Sequence, residues 1–191
     1  LLEIVSVDEN GQAMCKTDLP FGSFYLKELS TDSHYLPSGE TFPFTFEYGG
    51  PSVAVVEINA NDGEAISNEL IRGEIRGMKT DENGTGLSGA VIGLFKSDET
   101  EFTAENALAT ATSAEDGSFS FAGVPYGNWV LKELESPEGF ILSDEVIPVT
   151  VEEDGQVVEI SLANERVYGD LRLTKVDKDY PDNKLTGAEF E

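Results

Sequence analysis

The chain has 191 residues, a formal net charge of −25 at pH 7 and a sequence pI near 4.1. Because this charge would repel a phosphate backbone, the composition excludes nucleic acid as a partner. Hydrophobic residues make up 39% of the chain, which is enough for packed cores, and the one cysteine cannot form an internal disulfide. The sequence begins and ends within apolar segments and contains no transmembrane run. We therefore expect a piece of a longer protein that does not itself insert into a membrane.

Residues 1–69 show the alternation and turn residues that are typical of short β-strands. The predicted strands are Leu2–Val7, Gln12–Lys16, Phe21–Leu29, Thr41–Tyr48 and Ser52–Asn59.

Residues 70–167 repeat this pattern more fully, with Asp-Glu-Asn-Gly and Glu-Asp-Gly segments as turns. A single helical turn is predicted at Thr103–Asn106, within an insertion that has no apolar stripe. The predicted strands are Arg72–Thr80, Ala90–Lys96, Ala107–Ser113, Ser118–Ala122, Asn128–Leu134, Val146–Glu152 and Gln156–Ala163. About seven short strands in about 100 residues predict an all-β, immunoglobulin-like sandwich.

An internal repeat divides the chain. Residues 68–81 (NELIRGEIRGMKTD) recur as residues 164–177 (NERVYGDLRLTKVD), so that the Asn, the first Gly and the Lys of the two copies are each 96 residues apart. A fixed long period is the mark of a tandem array. We predict three domains, of which 1–69 and 168–191 are truncated and 70–167 is complete. The joins lack a flexible linker, so the neighbouring repeats are expected to be each other's partners.

Strand side chains alternate between faces, and this parity places several polar residues on core faces. In the opening strand of the complete domain, Lys79 shares its face with Ile71 and Ile75. The other apolar rows that end in a polar residue are Phe24, Leu26 and Glu28; Trp129, Leu131 and Glu133; Ile160, Leu162 and Asn164; and Leu171, Leu173 and Lys175. A buried charge must be paired or neutralised, whereas a long side chain at a strand end can instead reach water. Both interpretations stand for each residue taken singly, and the repetition favours burial.

The sequence resembles the collagen-adhesin B-type (CnaB) domains, also called SpaA-like or prealbumin-like domains, of Gram-positive surface proteins and pilins. Residues 171–177 (LRLTKVD) with 185–190 (LTGAEF) are similar to the start of such a domain, and residues 79–81 with 87–90 match it more loosely. Residues 116–121 (DGSFSF) and 124–127 (VPYG) follow the same pattern. Residues 129–140 (WVLKELESPEGF) resemble the family's Tyr-x-Leu-x-Glu-x-x-Ala-Pro-x-Gly-Tyr, with Trp, Ser and Phe as substitutions.

The resemblance implies an intramolecular isopeptide bond in the complete domain. Lys79 would be the nucleophile, Asn164 the electrophile and Glu133 the proton relay, and no cofactor or metal would be needed. The first domain retains Glu28 and Asn68 but not the lysine, and the third has Lys175 alone. At most one such bond is expected within this chain.

Other signals in the sequence are weaker. Residues 36–40 (LPSGE) lack the Thr of a sortase signal and are interpreted as a turn, and the acidic segments 81–84 and 152–155 as solvated hairpin tips. With His34 the only histidine, paired-histidine metal sites are excluded. Cys15 is expected to be a buried, inert thiol on a strand, and Lys132 to be solvated.

The predicted function is that of a non-enzymatic structural stalk in an extracellular, cell-wall-anchored adhesin or pilin, whose only chemistry is directed at itself. Two alternatives remain open. One is an adhesion module that binds a host matrix protein or glycan of unknown identity, and the other is an accessory domain of a secreted enzyme.

Overall fold

The computed structural model describes residues 1–53, 56 and 58–191. Its strands are β1 (Gly22–Lys27), β2 (Tyr35–Leu36), β3 (Thr41–Phe46), β4 (Glu69–Leu70), β5 (Arg72–Asp81), β6 (Val91–Lys96), β7 (Ala109–Thr112), β8 (Ser118–Pro125), β9 (Gly127–Glu135), β10 (Val146–Val151) and β11 (Val157–Asn164). A short 3-10 helix covers Ala60–Gly63. Within the described residues no helix has the length and apolar character needed to cross a bilayer.

The strands form two larger sheets and two ribbons. The four-stranded sheet has the order β10-β9-β6-β7 and the three-stranded sheet the order β11-β5-β8, while β1 pairs with β3 and β2 pairs with β4. Fully buried side chains come from both larger sheets, for example Ile75 of β5 and Leu131 of β9. The prediction of an all-β sandwich is confirmed.

The chain divides into two compact units. Unit 1 comprises Leu1–Glu74, Ala122–Gly127 and Thr150–Val158, and unit 2 comprises Ile75–Phe121, Asn128–Val149 and Glu159–Glu191. The three domain ranges that the repeat predicts remain predictions.

Strand β5 has the inward row that parity predicts. Ile75 and Lys79 are buried and alternate with exposed Arg76 and Met78. Gly77 lies on the buried row because the ring of Phe119 takes its side-chain space: a Cβ there would lie 2.0 Å from Phe119 Cζ. Strand β5 thus brings its lysine into the core on a face that is closely packed against β8.

Strand β6 is buried on both faces, which is why its sequence is apolar throughout. Phe95, on the face opposite Leu94, packs edge-on against Phe102 of the following insertion, with ring centroids 5.0 Å apart. The predicted helical turn at Thr103–Asn106 is a hydrogen-bonded turn, in which Asn106 and Ala107 donate their backbone N–H groups to Thr103 O.

The first residues of the chain differ from the prediction. Segments Leu2–Val7 and Gln12–Lys16 are irregular, because the carboxylate of Glu3 accepts the backbone N–H groups of Lys16 and Thr17 in place of a strand ladder. Cys15 is exposed, which corrects its predicted burial, and its thiol donates to Glu3 Oε2 at 2.8 Å. That hydrogen bond raises the pKa of the Cys15 thiol and, with the backbone bonds, lowers the pKa of Glu3 to about 2.

Three further differences concern short elements. Strands β2 and β4 were not predicted, since two-residue strands show no alternation. The predicted strand Ser52–Asn59 lies partly outside the described residues. Residues 168–191 form a turn closed by a bridge between Val176 and Lys184, without a longer strand.

Replacing Gly77 with alanine is expected to lower the thermal unfolding midpoint, because the new Cβ would displace the buried Phe119 ring. Overpacking of this kind costs about 1–3 kcal/mol, and each kcal/mol lowers the midpoint of a small domain by roughly 4–8 °C. Scanning calorimetry measures the shift. Gly169→Ala is the matched control, since no atom lies within 4 Å of its Cβ position. Equal midpoints for the two variants would contradict the packing argument.

Candidate functional site

Lys79, on strand β5, is fixed by hydrogen bonds of its backbone as well as by its side chain. The Lys79 N–H donates to Gly117 O at 2.7 Å, and Lys79 O accepts from Leu87 N–H at 2.8 Å. The residue is 0% exposed and is the largest of the fully buried side chains. An amine in such a place needs partners, since an unpaired buried charge is costly.

Strands β9 and β11 supply those partners. Lys79 Nζ donates to Asn164 Oδ1 and to Leu162 O, the latter at 3.3 Å, and it lies 3.7 Å from Glu133 Oε1. Asn164 Nδ2 donates to both oxygens of Glu133, at 2.9 and 3.0 Å. Glu133 is 1% and Asn164 2% exposed. The structure therefore brings together the three residues that were predicted as the trio of the complete domain.

The orientation of the Asn164 amide is chemically specific. Its carbonyl oxygen points to the amine of Lys79, and its nitrogen points to the carboxylate of Glu133. Burial lowers the pKa of the Lys79 ammonium from its ordinary value, and the Glu133 carboxylate partly opposes that shift. The arrangement places an amine beside the carbonyl oxygen of Asn164 and a carboxylate beside its amide nitrogen.

A loop contact that the sequence did not predict orients Glu133. The backbone N–H of Ser143 donates to Glu133 Oε2 at 2.8 Å, and Lys132 Nζ donates to Ser143 O at 2.9 Å. Lys132 was expected to be solvated, but its side chain is only 14% exposed because the loop that follows β9 covers it. No residue type marks such a loop in the sequence, since its essential donor is a backbone group.

The first repeat has a matching carboxylate and amide. Asn68 Nδ2 donates to Glu28 Oε2 and to Leu36 O, both at 2.8 Å. The backbone N–H of Ser38, ten residues after Glu28, donates to the Glu28 carboxylate. Ser143 stands in the same relation to Glu133. Glu28 and Asn68 are only half-buried, so this pair is a more open version of the same motif.

Lys175, predicted as the lysine of the third repeat, is exposed. Its carbonyl accepts the backbone N–H of Leu185 at 2.9 Å. In the complete domain Leu87 N–H donates to Lys79 O in the same way, so the two repeats share this turn.

An ion pair lies next to the trio. Asp81 Oδ1 accepts the N–H groups of Asn83 and Thr85, and Asp81 Oδ2 accepts from Arg166 at 2.9 Å. The bond from Thr85, followed by the pairing with Arg166, lowers the pKa of Asp81 to about 2. Asp81 is therefore a buried acid, which corrects its prediction as part of a solvated hairpin tip. The other predicted tip, residues 152–155, is exposed.

The comparisons with known proteins agree with this fold. The SpaA family, described as a prealbumin-like fold domain, matches residues 73–166. Residues 73–166 are thus similar to the SpaA prealbumin-like family, and the resemblance that the motifs suggested is confirmed. No curated protein matches the chain.

Several solved structures are similar. The Bacillus anthracis TIE protein aligns with a TM-score of 0.66 at 19% identity, over 95% of this chain and 35% of that one. BcpA, the major pilin subunit of Bacillus cereus, aligns with a TM-score of 0.46 at 20% identity, over 69% and 40% of the two chains. For the group B streptococcus pilus 2b backbone protein the values are 0.44 and 21%, over 66% and 56%. At 19% identity the likeness to the TIE protein is one of fold, and the chain spans about a third of that protein.

Acidification is expected to weaken the complete domain in part through Asp81. An unfolded aspartate titrates near 3.8 and Asp81 near 2, so the stabilisation is complete above about pH 4 and is lost as the pH falls through the folded value. Asp81→Asn should lose less stability between about pH 5 and pH 2 than the unchanged chain does. Urea midpoints at the two pH values measure this. The exposed Asp182→Asn variant controls for the loss of one charge, and an unaltered pH dependence in Asp81→Asn would contradict the assignment.

Proposed function

We propose that this chain is a structural stalk module of a Gram-positive surface protein or pilin, and that its complete domain is closed by an isopeptide bond between Lys79 and Asn164. One observation carries the proposal. A buried amine, an amide carbonyl and a carboxylate lie in mutual contact, with each residue at most 2% exposed. An apolar core holds such groups only at a cost, and a bond between two of them removes one charge and joins the first strand to the last.

The reaction requires no group from outside the chain. The neutral amine of Lys79 attacks Asn164 Cγ, and its proton passes through the Glu133 carboxyl to Asn164 Nδ2. The Cγ–Nδ2 bond then breaks and ammonia leaves, while the new Nζ–Cγ amide forms. One amine and one amide thereby become one amide and one ammonia, so no oxidant, reductant or cofactor takes part.

Burial assists the reaction in two ways. It lowers the pKa of Lys79, which increases the fraction of the amine that carries a free electron pair. It also holds the reacting groups in contact, and such positioning contributes the large effective concentration that a slow aminolysis needs. The chemistry consumes only the chain's own side chains, so in this proposal the module is not an enzyme.

The placement of the bond suits a stalk under tension. Lys79 contacts Asn164, and Asp81, two residues on, contacts Arg166, so the ends of β5 and β11 run in the same direction. Pulling on the two ends of the domain would shear these strands past each other. A covalent bond between them would carry the force in place of hydrogen bonds.

Placement outside the cell, in a tandem array, follows from the resemblance of the repeats to those of surface proteins. The neighbouring repeats of the same chain are the proposed partners. The 96-residue period and the lack of disulfides support a protein in which another covalent bond stiffens each unit.

The intact mass of the folded chain should be lower than its sequence mass by one ammonia, because the reaction expels Asn164 Nδ2. Lys79→Ala and Asn164→Ala should each restore the full mass, as measured by mass spectrometry under denaturing conditions. Lys175→Ala and Asn68→Ala are matched controls from the other repeats and should retain the loss. A full sequence mass in the folded, unaltered chain would refute the cross-link and leave the sandwich stalk standing.

Pulling on single molecules should show the mechanical effect. Lys79 and Asn164 are 85 positions apart, and an extended chain spans about 3.4 Å per residue, so the bond withholds about 290 Å of extension. Lys79→Ala should release this additional length on unfolding in force spectroscopy, and Lys175→Ala should not. If the unaltered chain extends as far as Lys79→Ala does, the bond does not carry the force.

A further inference from the structure

Arg166 connects three segments of unit 2, each of which leads to a member of the trio. It lies two residues beyond Asn164, and its guanidinium donates to Asp81, two residues beyond Lys79. It also lies over the ring of Phe140, 5.0 Å from the centroid, in the loop between β9 and β10. The same loop continues to Ser143, whose N–H holds Glu133.

The backbone reinforces these contacts. Residues 140 and 166 form a β-bridge, with Ile141 N–H donating to Glu165 O and Val167 N–H donating to Gly139 O, both at 2.9 Å. Arg166 Nε also lies 3.4 Å from Glu82 Oε1. The chain beyond β11 is therefore tied both to the loop after β9 and to the end of β5.

The two oxygens of the Asp81 carboxylate bond to different segments of the chain. Oδ1 accepts the N–H groups of Asn83 and Thr85 in the turn after β5, and Oδ2 accepts from Arg166, so both oxygens have a hydrogen-bond donor. Asp81 is 2% and Arg166 48% exposed at the side chain. A charge-assisted bond to a buried and fixed carboxylate holds its partner more closely than an ion pair between two mobile side chains.

We propose that Arg166 is a positioning residue for the aminolysis of Asn164 by Lys79: it aligns the ends of β5 and β11 and the loop that holds Glu133 before the bond forms. The inference rests on the proposed function. Arg166 touches none of the reacting atoms, so it acts through Asp81 and Phe140. Misplacement of reacting groups by as little as one ångström lowers reaction rates steeply. The Arg166–Asp81 ion pair, two residues beyond Asn164 and Lys79, therefore affects the rate of the aminolysis.

The first repeat provides a comparison within the chain. Leu70 stands 96 residues before Arg166, and the half-buried Glu28–Asn68 pair of that repeat has no arginine at the equivalent position. The Arg166–Asp81 ion pair thus belongs to the repeat in which the amine, the amide and the carboxylate are all buried.

The rate of ammonia loss tests the proposal. The full chain is synthesised in a cell-free system, quenched in acid at intervals and analysed by intact mass. Arg166→Gln should slow the loss on the order of tenfold, and Arg166→Lys should recover much of the rate, because an ammonium can still pair with Asp81. Arg172→Gln, which removes an exposed arginine of the third repeat, should react like the unaltered chain.

A second measurement separates positioning from stability. The same substitutions in the Lys79→Ala chain, which cannot react, are compared by thermal unfolding, and rates are measured at a temperature at which each is folded. A slow reaction in folded Arg166→Gln supports the proposal, and an unchanged rate overturns it. If Arg166→Gln does not fold, Asp81→Asn decides in the same way, since asparagine can still accept the N–H groups of the turn.

The outcomes also distinguish this inference from the proposed function. If the unaltered chain never loses ammonia, the isopeptide bond is refuted and the positioning role with it. If the unaltered chain reacts and the folded Arg166 and Asp81 variants react equally fast, only the positioning role is overturned.

Discussion

Strands β5, β9 and β11 meet at one buried polar contact, between the amine of Lys79, the amide of Asn164 and the carboxylate of Glu133. An amine in an apolar core is stable only with partners, and each of the three strands contributes one group. The contact is fully satisfied: among the described residues, no buried side-chain nitrogen or oxygen lacks a hydrogen-bond partner. The same burial that makes the contact costly also lowers the pKa of Lys79, and the hydrogen bonds of the contact orient the amide.

The surroundings of the trio are more specific than its residue types. Glu133 is oriented by a backbone N–H from a loop that Lys132 anchors, and the ends of the outer strands meet through Arg166. The first repeat retains the glutamate, the asparagine and the matching loop contact, yet its pair is half-buried. Deeper burial therefore distinguishes the Glu133–Asn164 pair from the Glu28–Asn68 pair.

The strong negative charge lies outside this chemistry. Acidic residues at the tip 152–155 and along the exposed strand faces remain in water, while the core uses a few ionisable groups in close pairs. Among the described residues, no group of three or more His, Cys, Asp or Glu side chains could hold a metal ion.

The sequence by itself determined the inward faces of β5, β9 and β11, because the alternation of side chains along a strand is a local property. The number and spacing of the strands predicted the β-sandwich, and the resemblance to a known family implied the roles of Lys79, Glu133 and Asn164. The sequence did not determine the irregular course of residues 2–16, the exposure of Cys15 or the burial of Asp81 and Lys132. Those depend on what packs against each residue: a single carboxylate, Glu3, replaces a strand ladder, and a loop covers Lys132. The partnership of Asp81 with Arg166, 85 residues further on, was decided only when the tertiary structure brought the ends of the first and last strands side by side.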